Sequence, residues 1–395
     1  MKNKVTWAKI LPIALLFLAG LAFGYFAGKF IASGAPSTNN FLPVLISIFI
    51  LGIPTFFLAV AFHEAGHALA GIWMNFKFTL FIVGPLMWNK EQTGWKFGWN
   101  KNLNTAGGLV ICLPRSAENL GNRFSIYALA GPVSSLILAV VAYGIFNLFS
   151  LDPPPHQILQ ILAFFFLLLA LISIILFIST IIPFQTGGFS SDGKRALNLL
   201  KGGDAARLEV LIIKITTESS SGIRPRLLNL ADLTEAQNLS KTLKSPFGVY
   251  LNYYFYQIAF DNGDIASAEQ YLLHYIADAD SIPDGIRNMV WLDAAFFYSF
   301  GKNDLNEALV YWNQFKPATL TAKAEVFATE AAISYLKGEK ELTLLKIKES
   351  MGELGNMMDK GISIALHDKL LELKIRIEQA GNMNISISTN EGYLS

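Results

Sequence analysis

The pattern of hydrophobic and polar positions splits the chain into two styles. Up to about residue 185 it runs in long apolar stretches; from about Gly202 apolar and charged residues mix with helical spacing. A bilayer is crossed by about 20 apolar residues. The stretches at about 10–31, 41–74, 124–149 and 158–182 meet that length and predict four transmembrane helices. The first follows Lys2, Lys4 and Lys9 and holds Lys29 near its end. A signal-peptide core is only about 7–15 residues long, so this run reads as a retained helix. Gly20, Gly24 and Gly28 recur on one face of it, where another helix can pack closely.

The segment 75–123 has a different period. Phe76, Phe78 and Leu80 alternate with Lys77 and Thr79, and Trp95, Phe97 and Trp99 alternate with Lys96 and Gly98. Alternation of this kind marks strands. A further apolar run, Leu109 to Leu113, follows Gly107-Gly108 and stops at Pro114. The segment predicts a small sheet or hairpin at the membrane surface, with an edge that an extended substrate can pair with.

Beyond the spans the pattern is all helical. Asn262-Gly263-Asp264-Ile265-Ala266-Ser267-Ala268 resembles Lys302-Asn303-Asp304-Leu305-Asn306-Glu307-Ala308, and Tyr335 to Glu339 looks like a degenerate third copy. Each turn lies between helices, as in tetratricopeptide-type hairpins, although the spacing exceeds their period of about 34 residues. A helical bundle without true repeats remains the alternative. The resulting domain plan is 1–200 in the membrane, 201–380 as an all-α, tetratricopeptide-like or bundle domain, and 381–395 as a disordered tail rich in Asn, Ser and Thr.

Charge adds the topology. Basic residues crowd the N-terminus, the 75–123 segment (Lys77, Lys90, Lys96, Lys101, Arg115, Arg123) and the region after the fourth span. The connections 34–40 and 150–156 have no Lys or Arg. Basic loops stay on the cytosolic side, so both termini are expected in the cytosol of a multi-pass cell-membrane protein. A net charge of +1 gives no reason to expect a nucleic-acid partner. Cys112 is the single cysteine, which excludes an internal disulfide.

The candidate chemistry sits at the end of the second span, in His63-Glu64-Ala65-Gly66-His67. Histidines four apart on a helix share one face, so both imidazoles can reach one metal ion. A glutamate beside the first can take the proton of a metal-activated water. Ionisable groups inside a span are costly and read as functional. A catalytic zinc needs a third ligand and an open position. Asp192, flanked by Gly187, Gly188 and Gly193 at the same membrane face, is the best candidate; the alternative is that it caps the helix that follows. His156 falls on the opposite side, and His274 and His367 lie in the helical domain.

Three features make residues 41–200 resemble the site-2 protease family of intramembrane zinc metalloproteases, peptidase family M50. They are the His63-Glu64-Ala65-Gly66-His67 motif in a span, Ala130-Gly131-Pro132 in the middle span, and Pro183 followed by Asp192-Gly193 after the last. The resemblance implies that His63, His67 and Asp192 hold one zinc ion per chain and that Glu64 is the general base. It implies cleavage of membrane protein or peptide substrates at or within the bilayer. The chain departs from the family pattern at Ser134 and Ser135, where an asparagine often follows the Gly-Pro, at Ser191 in place of a leucine, and at Thr180 in place of an asparagine. The helical domain is expected to recruit a substrate or a protein partner. The competing reading is a catalytically silent membrane scaffold that works through this domain.

Overall fold

A computed structural model describes residues 41–91, 93–100, 107–150, 157–186, 189–245, 247–281, 284–317 and 321–391. The span expected at 10–31 lies outside them. The chain forms two compact units: the first takes the described residues up to Gly202 except Lys90–Lys96 and Arg115–Glu118, which group with the second, from Gly203 onward.

The first unit is a helical bundle with a small sheet. Helix α1 runs from Phe41 to Trp73 with Pro54 inside it, α2 from Leu120 to Ser150 with Pro132 inside it, and α3 from Gln157 to Ile181. Three helices among the described residues are long and apolar enough to cross a membrane, over Leu51–Trp73, Leu120–Phe149 and Ile161–Ile181. The interior uses small residues where the helices meet: Ala59, Ala142 and Ala170 pack with Leu138 and Leu169. The outer faces are apolar as well, with Leu69, Ile137, Val140 and Leu148 all exposed. An apolar surface of this extent is what lipid, rather than water, accommodates.

Between α1 and α2 the chain forms four strands: β1 (Phe76–Val83), β2 (Leu86–Glu91), β3 (Gly94–Trp99) and β4 (Leu109–Pro114). Their order in the sheet is β3-β2-β1-β4, and β1 pairs antiparallel with both of its neighbours. The alternation of the sequence anticipates β1 and β3, and its apolar run anticipates β4. It does not reveal β2, because Leu86-Met87-Trp88 is followed by Asn89-Lys90-Glu91 with no period of two. Pairing with β1 through the tight Gly84-Pro85 turn makes it a strand. Arg123 joins the ends of the two long helices: its Nε and Nη2 donate to the Met74 carbonyl at 3.0 and 2.6 Å. That carbonyl lies just past the end of α1, where helix carbonyls have no partner of their own.

After α3 a two-residue ladder, β5 (Gln185–Thr186) with β6 (Phe189–Ser190), turns the chain back into α4 (Asp192–Lys201). The second unit is helical: α5 (Gly203–Ser221), α6 (Leu230–Thr242), α7 (Gly248–Asp261), α8 (Ile265–Ala277), α9 (Asp284–Phe296), α10 (Leu305–Trp312), α11 (Lys323–Leu336), α12 (Lys340–Glu353) and α13 (Lys360–Glu391). Successive helices pack as hairpins, α7 with α8, α9 with α10 and α11 with α12. The two similar turns work alike: Asp264 accepts from the Ser267 N–H and Asp304 from the Glu307 N–H, both at 3.0 Å. Each is a side-chain cap that starts the second helix of a hairpin. Tyr256, Phe260, Phe297 and Leu370 lie in the shared core. Helix α13 runs across Gly381 to Glu391.

Candidate metal centre

Three segments far apart in sequence meet near the C-terminal end of α1. His63 and His67 project from one face of that helix, as their spacing requires, and both are buried, with 6% of each exposed. Their Nε2 atoms stand 3.3 Å apart. Asp192, the first residue of α4, places Oδ2 at 3.4 Å from each of those nitrogens. Donor atoms about 2.0–2.1 Å from a tetrahedral zinc ion stand about 3.3 Å from one another. Two imidazole nitrogens and one carboxylate oxygen in such a triangle fit a metal ion, and this is the one group of at least three His, Cys, Asp or Glu side chains among the described residues that could hold one.

Two glycines make the approach possible. A Cβ on Gly131 of α2 would come within 2.1 Å of His67 Nε2, so any side chain there would displace a donor nitrogen. A Cβ on Gly193 would come within 1.8 Å of the Ile181 carbonyl oxygen, so Gly193 lets α4 begin against the end of α3. The alternative role for Asp192, capping α4, is taken by Ser191. The Ser191 hydroxyl accepts from the Lys194 N–H at 3.2 Å and the Phe184 N–H at 3.1 Å, and donates to the Ile182 carbonyl at 2.8 Å. This leaves the Asp192 carboxylate to the histidines.

The other ring nitrogens are held by α2. His67 Nδ1 lies 2.8 Å from the Tyr127 carbonyl oxygen, and His63 Nδ1 lies 2.9 Å from Ser135 Oγ. Neither partner is among the site residues that the sequence identifies. Ser135 stands three residues after Pro132, at one of the departures from the family pattern, and that offset is the one signal pointing to it. The Tyr127 carbonyl carries no sequence signal at all.

Glu64, 8% exposed, lies beside the triangle and accepts from the Val110 N–H of β4. The Tyr127 hydroxyl donates to the Val110 carbonyl at 3.1 Å. β4 is an edge by strand order, but at Val110 both backbone groups are already engaged by α1 and α2. The substrate-pairing edge expected of the strands therefore does not extend over Val110. Of the remaining histidines, His274 and His367 belong to the helical unit, and His156 lies outside the described residues.

A family model for peptidase family M50 matches residues 51–365, which takes in both units. The chain belongs to peptidase family M50. Neither a curated protein nor a solved structure gives a match. M50 peptidases are zinc metalloproteases of the membrane, the site-2 protease family. The three candidate membrane helices and the His63, His67, Asp192 triangle agree with that membership.

Proposed function

We propose that this M50 peptidase is a zinc-dependent endopeptidase that hydrolyses peptide bonds of membrane-associated proteins near the cytosolic face of the cell membrane. The observation that carries the reading is the donor triangle with 3.3–3.4 Å sides, beside a glutamate one residue from its first histidine. His63, His67 and Asp192 would hold one zinc ion, which polarises the scissile carbonyl and acidifies a water when bound. Glu64 is the general base. Its carboxylate takes the proton of the attacking water and returns it to the departing amine, while the Val110 N–H orients it. A membrane-spanning substrate bonds its amides internally, so a segment must unwind before attack. With β4 occupied at Val110, the opposite edge of the sheet, β3, is the candidate for pairing with that segment. Its Trp95, Phe97 and Trp99 are exposed.

The orientation with both ends in the cytosol rests on the basic segments of the sequence and puts the triangle near the cytosolic side. The helical unit then lies in the cytosol, where it recruits substrate or a partner.

The test is zinc per chain in detergent-purified protein, wild type beside His67→Ala and Asp192→Ala. About one zinc in the wild type and a large loss in both variants is expected of a single site with three protein ligands. A wild type without zinc, under conditions that load other zinc proteins, would sink the reading in favour of a silent scaffold.

A further inference from the structure

The two histidines of the triangle have different partners behind them. His67 Nδ1 faces a backbone carbonyl, that of Tyr127 at 2.8 Å. A carbonyl only accepts, so His67 Nδ1 carries the hydrogen, and in the neutral ring Nε2 keeps a free lone pair. That is the tautomer a metal ion needs at Nε2. His63 Nδ1 faces the hydroxyl of Ser135 at 2.9 Å. A hydroxyl can donate or accept, so this contact does not fix the tautomer of His63.

The surroundings of Ser135 break the tie. Its side chain is fully buried, and the bond to His63 is its only hydrogen bond among the described residues. The neighbouring Ser134 hydroxyl has carbonyl acceptors within reach, Phe62 at 2.8 Å and Gly131 at 2.9 Å, whereas the Ser135 hydroxyl has none among the described residues. If His63 Nδ1 carries the hydrogen, Ser135 must accept, and its own O–H is buried without a partner, which is unfavourable. If Ser135 donates to Nδ1, the hydrogen sits on Nε2. There it faces two acceptors, Asp192 Oδ2 at 3.4 Å and the bare His67 Nε2 at 3.3 Å. Without metal, only this second arrangement leaves every polar hydrogen of the group facing an acceptor.

We infer that Ser135 is a positioning residue that makes His63 a tautomer-switching ligand, whereas Tyr127 holds His67 permanently ready. In the metal-free centre His63 is protonated on Nε2. In the loaded centre that hydrogen is on Nδ1 and Ser135 has turned from donor to acceptor. One proton leaves Nε2 and one arrives at Nδ1, so the ring stays neutral. His67 makes no such change. The inference rests on the metal reading of the triangle, but its first arm is measured with no metal present.

The experiment is nitrogen-15 NMR on the full chain, labelled at histidine, in detergent micelles. The chain has five histidines, so His63→Asn and His67→Asn controls assign the two signals. In chelator-treated protein His63 is expected with a bare Nδ1 and His67 with a bare Nε2. Zinc titration should then bring His63 to the Nδ1-protonated form. Because the Ser135 hydroxyl is satisfied in the metal-free tautomer and loses its acceptor in the loaded one, zinc affinity by chelator competition should not fall in Ser135→Ala. It should stay within about threefold in Ser135→Thr, which keeps the hydroxyl. Metal-free His63 found Nδ1-protonated like His67 would overturn the inference, as would a loss of about 10-fold or more in zinc affinity in Ser135→Ala, the effect of removing a partner that holds the metal-ready ring. Should Ser135→Ala fail to fold, the wild-type spectra and Ser135→Thr still decide. A wild type that shows the expected metal-free tautomers but takes up no zinc would overturn the metal reading and, with it, the switching.

Discussion

The membrane unit and the helical unit both bury carboxyl groups, and they surround them differently. In the membrane unit each has donors aimed at it: Glu64 receives the Val110 N–H, and Asp192 faces two imidazoles. In the helical unit Asp293 feels the charge of Glu325, Glu325 feels that of Asp359, and Asp293 accepts from Gln257 Nε2 at 3.3 Å. Burial, with each neighbour adding repulsion, pushes Asp293 well above the carboxylate range and Glu325 up to about 7. Burial also raises Asp359, partly offset by the Ser219 hydroxyl and the Ile362 N–H that donate to it. Carboxylates that converge on a centre are supplied with donors. Asp293 and Glu325, packed between helices with carboxyl neighbours, favour their protonated forms instead, whereas Asp261 of the same unit stays charged against Arg224.

Four changes would break or sharpen this contrast. The largest effect is expected from Glu64→Gln, which keeps the shape of the side chain and removes the base. Cleavage of a membrane substrate should fall by about 10²–10⁴-fold with zinc content unchanged; activity close to wild type would remove Glu64 from the mechanism. Next comes Gly131→Ala, whose methyl group would meet His67 Nε2, against Gly52→Ala in the same unit, which meets nothing within 4 Å. Zinc per chain should drop to less than about half in the first and stay near one in the second, given that a single site needs all its ligands. Equal zinc in both would show that α2 does not approach His67 as described.

The helical unit supplies the smaller effects. Arg224 pairs through Nε and Nη2 with Asp261, whose side chain is nearly inaccessible, and through Nη1 with Asp368 of α13. Arg224→Met leaves Asp261 charged and unpaired and should destabilise the unit by about 3 kcal/mol. Faster hydrogen exchange of the α7 and α13 amides in the full chain is the readout, and unchanged exchange would refute it. Glu325→Gln should act in the opposite direction. The raised carboxyl favours its protonated form in the folded chain, so its contribution is full below about pH 4.5 and is lost as pH rises to about 7. At pH 8 the variant should be more stable than wild type by about 1–3 kcal/mol, and at pH 4 the two should match. Exchange of the α9 and α11 amides at both pH values checks this; a variant less stable at pH 8 would show that Glu325 has a partner while charged.

Much of the membrane unit was legible in its pattern. The limits of α1, α2 and α3 follow the apolar runs to within a few residues, because a helix in lipid must satisfy its backbone within the run itself. Strands β1 and β3 follow from alternation. β2 has no such signal and exists because β1 offers it a ladder. The two repeated turns of the helical unit announced their hairpins through Asp264 and Asp304, whose side chains act within three residues. Ser191 and Asp192 show the opposite case. Either could cap α4, and nothing local says which.

By itself the sequence determined what a single helix can determine. It put His63 and His67 on one face of α1 with Glu64 beside them, because helical spacing is set within one turn. Only the tertiary structure decided what meets that face. Asp192 is freed for it by the Ser191 cap and brought up by the close start of α4 at Gly193. Tyr127 and Ser135, distant in sequence, choose between a carbonyl and a hydroxyl behind each ring. Such choices depend on how α2 packs against α1, a contact whose register no short-range pattern encodes, and here it separates a histidine with a fixed tautomer from one that must change it.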